Sequence, residues 1–237
     1  MKQGDSIDRV STCDLQLIPE QWDFAARNAG AIDAHWLKRQ QDNPGFFNGT
    51  IHIARTAWIA TGRLTATMLA TDFKSFLYWR EQGYPPASTR DAFGSTILRG
   101  CDGAVLLGRQ TPGNINDGQA YLPGGFIDAR DVAANGTVDI AASIARELQE
   151  ETRLDLATLE IRPGFLVVQC GALLSIAQEF VSVQPAAELR ATILAQIADD
   201  PEPELADLVI IRNMGDLKHH RVPPYTAMAL ATVFEQT

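Results

Sequence analysis

Glu147, Glu150 and Glu151 are spaced i, i+3, i+4 in a chain of 237 residues. On a helix that spacing brings the three carboxylates together across neighbouring turns. Like charges so placed repel by roughly a few tenths of a kcal/mol per pair. Near a helix C-terminus the macrodipole opposes each anion by a further ~0.3–1 kcal/mol. Arg146 reaches Glu150 at i+4 and offsets part of this, and a hard divalent cation, which prefers carboxylate oxygens, would offset more. The backbone supplies the second component. Gly124-Gly125, after Pro123, let a main-chain carbonyl turn toward such a site where a side chain would block it. Carboxylates, cation and backbone oxygen together make a candidate metal site. A solvated acidic face is the plainer account of an EL-x-EE run taken alone, but it leaves the upstream glycines without a purpose.

The helix carrying the acids is predicted over residues 139–152, where Ile140, Ile144 and Leu148 recur four apart with Ala141 and Ala145 beside them. Before it, STILRG and AVLLGRQ flank Cys101-Asp102-Gly103 and read as two adjacent strands or one strand with a bulge. Residues 111–119, rich in turn formers, are long enough to wall a substrate. After the helix come strand-like runs over 161–183 broken near Gly171, a helix over 186–197, a short strand over 208–211 and a last helix from Pro223.

Toward the N-terminus, residues 9–18 read as a first strand, and Trp22, Ala25, Ala29, Ile32 and Trp36 as one helix ended by Pro44-Gly45. Ile51 and Ile53, then Leu64, Ala66 and Met68, alternate about Thr61-Gly62 as a hairpin. Thr71-Asp72 caps a helix through Phe73, Phe76 and Leu77 that Gly83 and Pro85-Pro86 stop. The best boundary falls there. Residues 1–86 form a strand-helix-hairpin-helix extension packed on a catalytic domain of residues 87–237. Its aromatics read as core, and His52 as a strand-face residue without a second metal ligand at useful spacing.

The composition bounds the partners. A net charge of −9 and a sequence pI of about 4.9 argue against nucleic acid, whose binding rests on Lys and Arg meeting phosphates. Cys13, Cys101 and Cys170 are far apart and read as reduced, buried small residues. The N-terminal residues hold no apolar signal core, and the longest apolar run, 165–177, is interrupted by Gln169 and Gly171. No membrane partner and a cytoplasmic location are expected.

Gly-Gly followed by REL-x-EE resembles the signature of the Nudix hydrolases, G-x5-E-x7-R-E-U-x-E-E-x-G-U with U aliphatic. Gly125 takes the opening glycine, Arg146 and Glu147 the R-E pair, Leu148 the aliphatic place, Glu150 and Glu151 the E-E pair, and Leu154 the closing position. Three departures stand out. Glycine and arginine lie 21 positions apart (146 minus 125) where the box has fourteen, so about seven residues are inserted around 131–137. Val138 stands where counting back from the arginine puts the isolated glutamate, with Asp139 one place late and Asp128 and Asp131 before the insertion. Arg153 replaces the glycine that would turn the chain at the helix exit.

The resemblance implies an α/β fold, the Nudix α/β/α sandwich of mixed sheet, where pattern alone says only α plus β. It implies a hydrolase that cleaves the pyrophosphate link of a nucleoside diphosphate joined to another group, releasing a nucleoside monophosphate and a phosphorylated product. Mg²⁺ or Mn²⁺ would be held by Glu147, Glu150 or Glu151 with a backbone oxygen near Gly125. Glu147 or Glu151 would be the base, and Arg146 would fix its neighbours. Gly124 and the strand-end Arg109 are implied substrate contacts, and family relatives are often homodimers. Glu204 reads as an acidic linker with a loop base as the alternative; Lys218, His219, His220 and Arg221 read as a solvated turn. The N-terminal segment with Asn48-Gly49-Thr50 and Thr71-Asp72-Phe73 is similar to the Nudix branch that splits UDP-glucose into UMP and glucose 1-phosphate; ADP-ribose-like compounds are the other substrate expectation. The rival reading is a Nudix-fold nucleotide-binding or regulatory module with catalysis impaired by the changes at Val138 and Arg153.

Overall fold

The computed structural model describes residues 4–201 and 203–235. Its elements run β1 (Ser6–Val10), β2 (Thr12–Leu17), α1 (Asp23–Arg27), α2 (Ala29–Asp42), β3 (Thr50–Ala60), β4 (Arg63–Asp72) and α3 (Phe73–Glu81). There follow β5 (Asp91–Arg99), β6 (Val105–Gln110), β7 (Thr137–Val138), α4 (Ile140–Thr152), β8 (Leu159–Ile161), β9 (Phe165–Cys170), β10 (Leu173–Ser182), α5 (Ala186–Ile197), β11 (Leu205–Ile211) and α6 (Pro224–Phe234). Single-turn 3₁₀ segments join some of them.

The larger sheet has the order β1-β9-β10-β5-β6-β11, with β8 also on β10. It is mixed, because β10 and β5 run parallel while the other pairs are antiparallel. Strand alternation sends successive side chains to opposite faces. Thus Leu98, Leu106 and Val167 join one core, in which Ile144 and Leu148 of α4 and Leu189 and Ile193 of α5 are buried. Their neighbours Ile97, Val105, Leu107, Leu166 and Val168 join a second core under Ala229, Leu230 and Val233 of α6. The sheet is therefore covered by helices on both faces, the α/β/α layering expected.

The smaller sheet, β3-β4-β2-β7, buries Leu15, Leu64, Ala66 and Met68 in the first of those cores, beside Ile140 at the start of α4. Thr61 and Gly62 both have positive φ, 48° and 72°, as the two-residue turn of this hairpin requires. Asp72 caps α3 as expected, accepting from Ser75 N at 3.0 Å.

Three local readings change. The single strand expected over 9–18 is two strands in different sheets, β1 on β9 and β2 on β4, with Ser11 at the crossing. Continuous alternation gives no mark where a strand leaves one sheet for another. The helix expected after Pro19 is interrupted at Asn28, which stands outside helical geometry at φ −111°, ψ 13°. The cysteines carry free thiols, but Cys101 is exposed at the β5–β6 turn and Cys13 and Cys170 are only part-buried. Among the described residues no helix is long and apolar enough to cross a membrane.

Candidate active site

The acidic helix is built as its sequence requires. Asp139 caps α4 by accepting from Ala142 N at 3.0 Å. At the other end Arg153 takes the left-handed conformation, φ 59°, that a glycine would take at lower cost. Its guanidinium is anchored to Asp200 at 2.6 Å, and its N–H donates to Gln149 O at 2.8 Å.

Arg146 organises the acids. It donates to Glu147 at 2.6 Å, to Glu150 at 3.1 Å and to both oxygens of Asp131 at 3.0 and 3.3 Å. Asp131 is buried and also accepts from Ser143 Oγ and Asp128 N, each at 2.9 Å. It is therefore the carboxylate that closes the helix onto the glycine turn. Counted forward from Gly125, the G-x5-E spacing lands on Asp131, and the inserted stretch is residues 132–138, which turn back and form β7. Of the acids considered for the isolated position, Asp131 is the one held by hydrogen bonds from Arg146; counting back from the arginine crosses the insertion and passes over it.

The glycine pair is fitted to the acids. A Cβ on Gly125 would lie 2.1 Å from Glu147 Oε2, and one on Gly124, at φ +151°, would lie 2.2 Å from Gly94 O. Gly124 N donates to Glu151 Oε2 at 3.2 Å, and Tyr121 OH donates to its other oxygen at 3.4 Å. The Gly125 carbonyl accepts from Gly94 N at 3.2 Å, which leaves it one lone pair.

Glu147 and Glu150 line one end of an open cleft of about 1260 Å³, with Gly124, Gly125, Asp128 and Arg130 around them. Glu151, 3 % exposed, lies behind Gly124 and does not line the cleft. Burial pushes the Glu147 carboxyl up to about 7 against the pull of Arg146. Burial, then the charges of Glu204 and Glu147, push Glu151 well above the ordinary carboxylate range.

Glu204 lines the same end, so the reading of it as a plain linker gives way to a cleft position; its carbonyl accepts from Thr111 N at 2.9 Å. The 111–119 loop borders the cleft through Thr111, Asn114 and Asn116 among others. Arg109 is not brought there. Its neighbour Gln110 faces the cleft, and strand alternation leaves Arg109 outside, 2.9 Å from His220 Nδ1.

Glu147, Glu150, Glu151 and Glu204 offer the hard oxygen donors a divalent cation takes. The mutual repulsion that raises Glu151 is the unfavourable term a cation would remove, so the donor chemistry fits. As drawn, Arg146 and Arg130 hold oxygens of Glu147 and Glu150, and among the described residues no three Asp, Glu, His or Cys side chains converge on one point.

No protein-family model matches the chain, and no curated protein matches it. Solved structures do. A Nudix hydrolase of M. smegmatis, 18 % identical, matches 62 % of this chain and 85 % of its own with a TM-score of 0.42. The MutT protein of Methanosarcina mazei Go1, 19 % identical, matches 62 % of this chain and 94 % of its own at 0.41. A bifunctional NMN adenylyltransferase/ADP ribose pyrophosphatase of Francisella tularensis, 19 % identical, matches 68 % of this chain and 45 % of its own at 0.43.

Proposed function

We propose that this chain is a Nudix-type hydrolase that cleaves the pyrophosphate link of a nucleoside diphosphate derivative with the help of Mg²⁺ or Mn²⁺. The observation that carries the reading is the fit of the REL-x-EE helix against the Gly124-Gly125 turn, with Gly124 N donating to Glu151 and no room for a Cβ on Gly125 beside Glu147, at a cleft large enough for a nucleotide derivative, while the Asp131–Arg146 pair ties the following turn to the same helix. An acidic helix without that duty would not need a buried ion pair and two crowded glycines.

A divalent cation bound there would neutralise phosphate oxygens and favour attack by water. Glu147, Glu150 and Glu151 are the carboxylates that would hold the cation. Water attacks phosphorus, the bridging P–O bond breaks toward the departing phosphate, and the proton of the water passes to Glu147 or Glu151. Arg146 fixes the rotamers of Glu147 and Glu150 through its bonds to both. Gly124 borders the phosphates, whereas Arg109 has no part in this scheme.

The finer substrate assignment is to UDP-sugars, with ADP-ribose-like compounds second. Its support is the junction between the two N-terminal segments that resemble the UDP-glucose branch. Asn48 Oδ1 accepts from Lys74 N at 2.8 Å, and Phe73 N donates to Gly49 O at 2.9 Å. Phe73 and Gly49 both line the cleft as a result.

The rival reading, a nucleotide-binding module without catalysis, draws on the inward position of Glu151 and on the arginines that hold its neighbours. Replacing Glu151 by Gln separates the two. The hydrolase reading predicts a folded variant whose monophosphate release falls by orders of magnitude. An unchanged rate removes Glu151 from the chemistry.

A further inference from the structure

Where β5 begins, the cleft has a chemistry of its own. Asp91, the first residue of β5, is 4 % exposed and lines the cleft. Tyr84 OH donates to its Oδ2 at 2.9 Å, and Oδ1 has no hydrogen bond among the described residues. A carboxylate is an acceptor only, so a group that meets Oδ1 must bring a donor. The nearby cation, Arg80, is engaged elsewhere, donating to Ile115 O at 2.9 Å and Asn116 Oδ1 at 2.8 Å.

The surround is aromatic. Phe93, two residues along the strand and therefore on the same face, packs edge-on against Tyr225 with centroids 5.0 Å apart. Its backbone bridges to Phe126, whose ring meets Phe73 at 6.0 Å. All of these rings line the cleft. Rings with one unspent acceptor suit a planar group carrying an N–H. A sugar, with several hydroxyls to satisfy, would need more polar partners than this part of the cleft supplies, and a phosphate would meet a carboxylate.

We propose that this part is a nucleobase subsite in which the base stacks among Phe93, Phe126 and Tyr225 and donates an N–H to Asp91 Oδ1. The substrate then lies with its base at Asp91 and its diphosphate at Glu147 and Glu150. Asp91 becomes the residue that makes the protein sensitive to the base. Because Phe73 and Tyr84 come from the first 86 residues, the N-terminal part builds this subsite jointly with β5 and α6. The assignment rests on the hydrolase reading only in taking the ligand to be a nucleotide.

The test is calorimetric titration with UMP, CMP, AMP, GMP and ribose 5-phosphate in the presence of chelator, so that binding is read without turnover. In the unaltered protein at least one nucleotide should bind tenfold or more tightly than ribose 5-phosphate, which lacks a base. Asp91→Ala should remove most of that advantage while leaving ribose 5-phosphate within about twofold, in keeping with the loss of a charged hydrogen bond. Asp91→Asn, which keeps a neutral acceptor, should fall between. Thermal unfolding confirms that each variant folds. The proposal is overturned if no nucleotide outbinds ribose 5-phosphate, if Asp91→Ala leaves the advantage intact, or if it weakens all five ligands equally. Base-dependent binding without any metal-supported turnover would sink the hydrolase reading and leave this subsite standing; turnover with base-blind binding would do the reverse.

Discussion

Replacing the Asp131 carboxylate by an amide takes one negative charge from beside Arg146 and leaves one oxygen to serve Ser143 Oγ and Asp128 N. Breaking one side of a fully buried ion pair costs about 3 kcal/mol or more. Arg146 is partly exposed and keeps two carboxylates, so Asp131→Asn is predicted to lower the chemical-denaturation stability by roughly 1–2 kcal/mol. A loss below about 0.5 kcal/mol, the scale of an ordinary surface change, would show that the pair is incidental. The glutamates, the arginine and the glycines were legible because the signature names residue types at short spacings. Asp131 was legible too, but only from the glycine side of the insertion. Glu204 and Asp91 were not. Nothing in their local sequence says that β11 and β5 deliver them to one cleft.

Asp91 also makes a pH prediction. Burial lifts its carboxyl to about 6 from an ordinary 3.8, with Tyr84 and Arg80 pulling the other way. Between those values the native state binds the proton more than the unfolded chain does, so stability falls as pH rises. The contribution is full below about 3.8 and is lost as pH rises through about 6. Asp91→Asn removes the titration, so its stability relative to the unaltered protein should rise between pH about 3.8 and about 6 in denaturant titrations. A difference that is flat with pH would mean that Asp91 ionises at its ordinary value.

At the scale of elements, the exit of α4 is the strained one. Arg153 holds a left-handed conformation that costs a side-chain-bearing residue ~1–2 kcal/mol. Its exposed ion pair with Asp200 returns little of this. Arg153→Gly should thus stabilise the protein by about 1 kcal/mol in equilibrium denaturation, and a destabilised variant would contradict this balance. The replacement of the box glycine was readable from sequence, and so was the need for a turn there. The fate of the inserted residues was not, because β7 is two residues long and pairs with Leu15 and Gln16, far away in sequence. The break between β1 and β2 was hidden for the same reason. Periodicity reports which face is buried and is silent on which strand lies next door.

For the whole molecule, the pattern of elements said only α plus β, and the layered α/β sandwich followed from the resemblance. The role of the N-terminal part did not. Residues 1–86 were expected to pack on a catalytic domain; β1 forms an edge of the large sheet, β2, β3 and β4 make up most of the small one, and Phe46, Phe73 and Tyr84 wall the cleft. Its aromatics divide accordingly. Trp22, Phe76 and Trp79 form a core of their own, while Phe46, Phe47, Phe73 and Tyr84 line the cleft. The molecule therefore presents one cleft, acidic along α4 and aromatic where β5, α3 and α6 meet it, assembled from both halves of the sequence.

That arrangement makes release of nucleoside monophosphate from UDP-sugars, ADP-ribose and dinucleoside polyphosphates, measured with Mg²⁺ or Mn²⁺ and again with chelator, the most direct test of the central claim. The account predicts turnover of one group of compounds that chelator abolishes and added metal restores. No turnover of any of them, with one bound tightly in either condition, would contradict it and leave a binding module in its place.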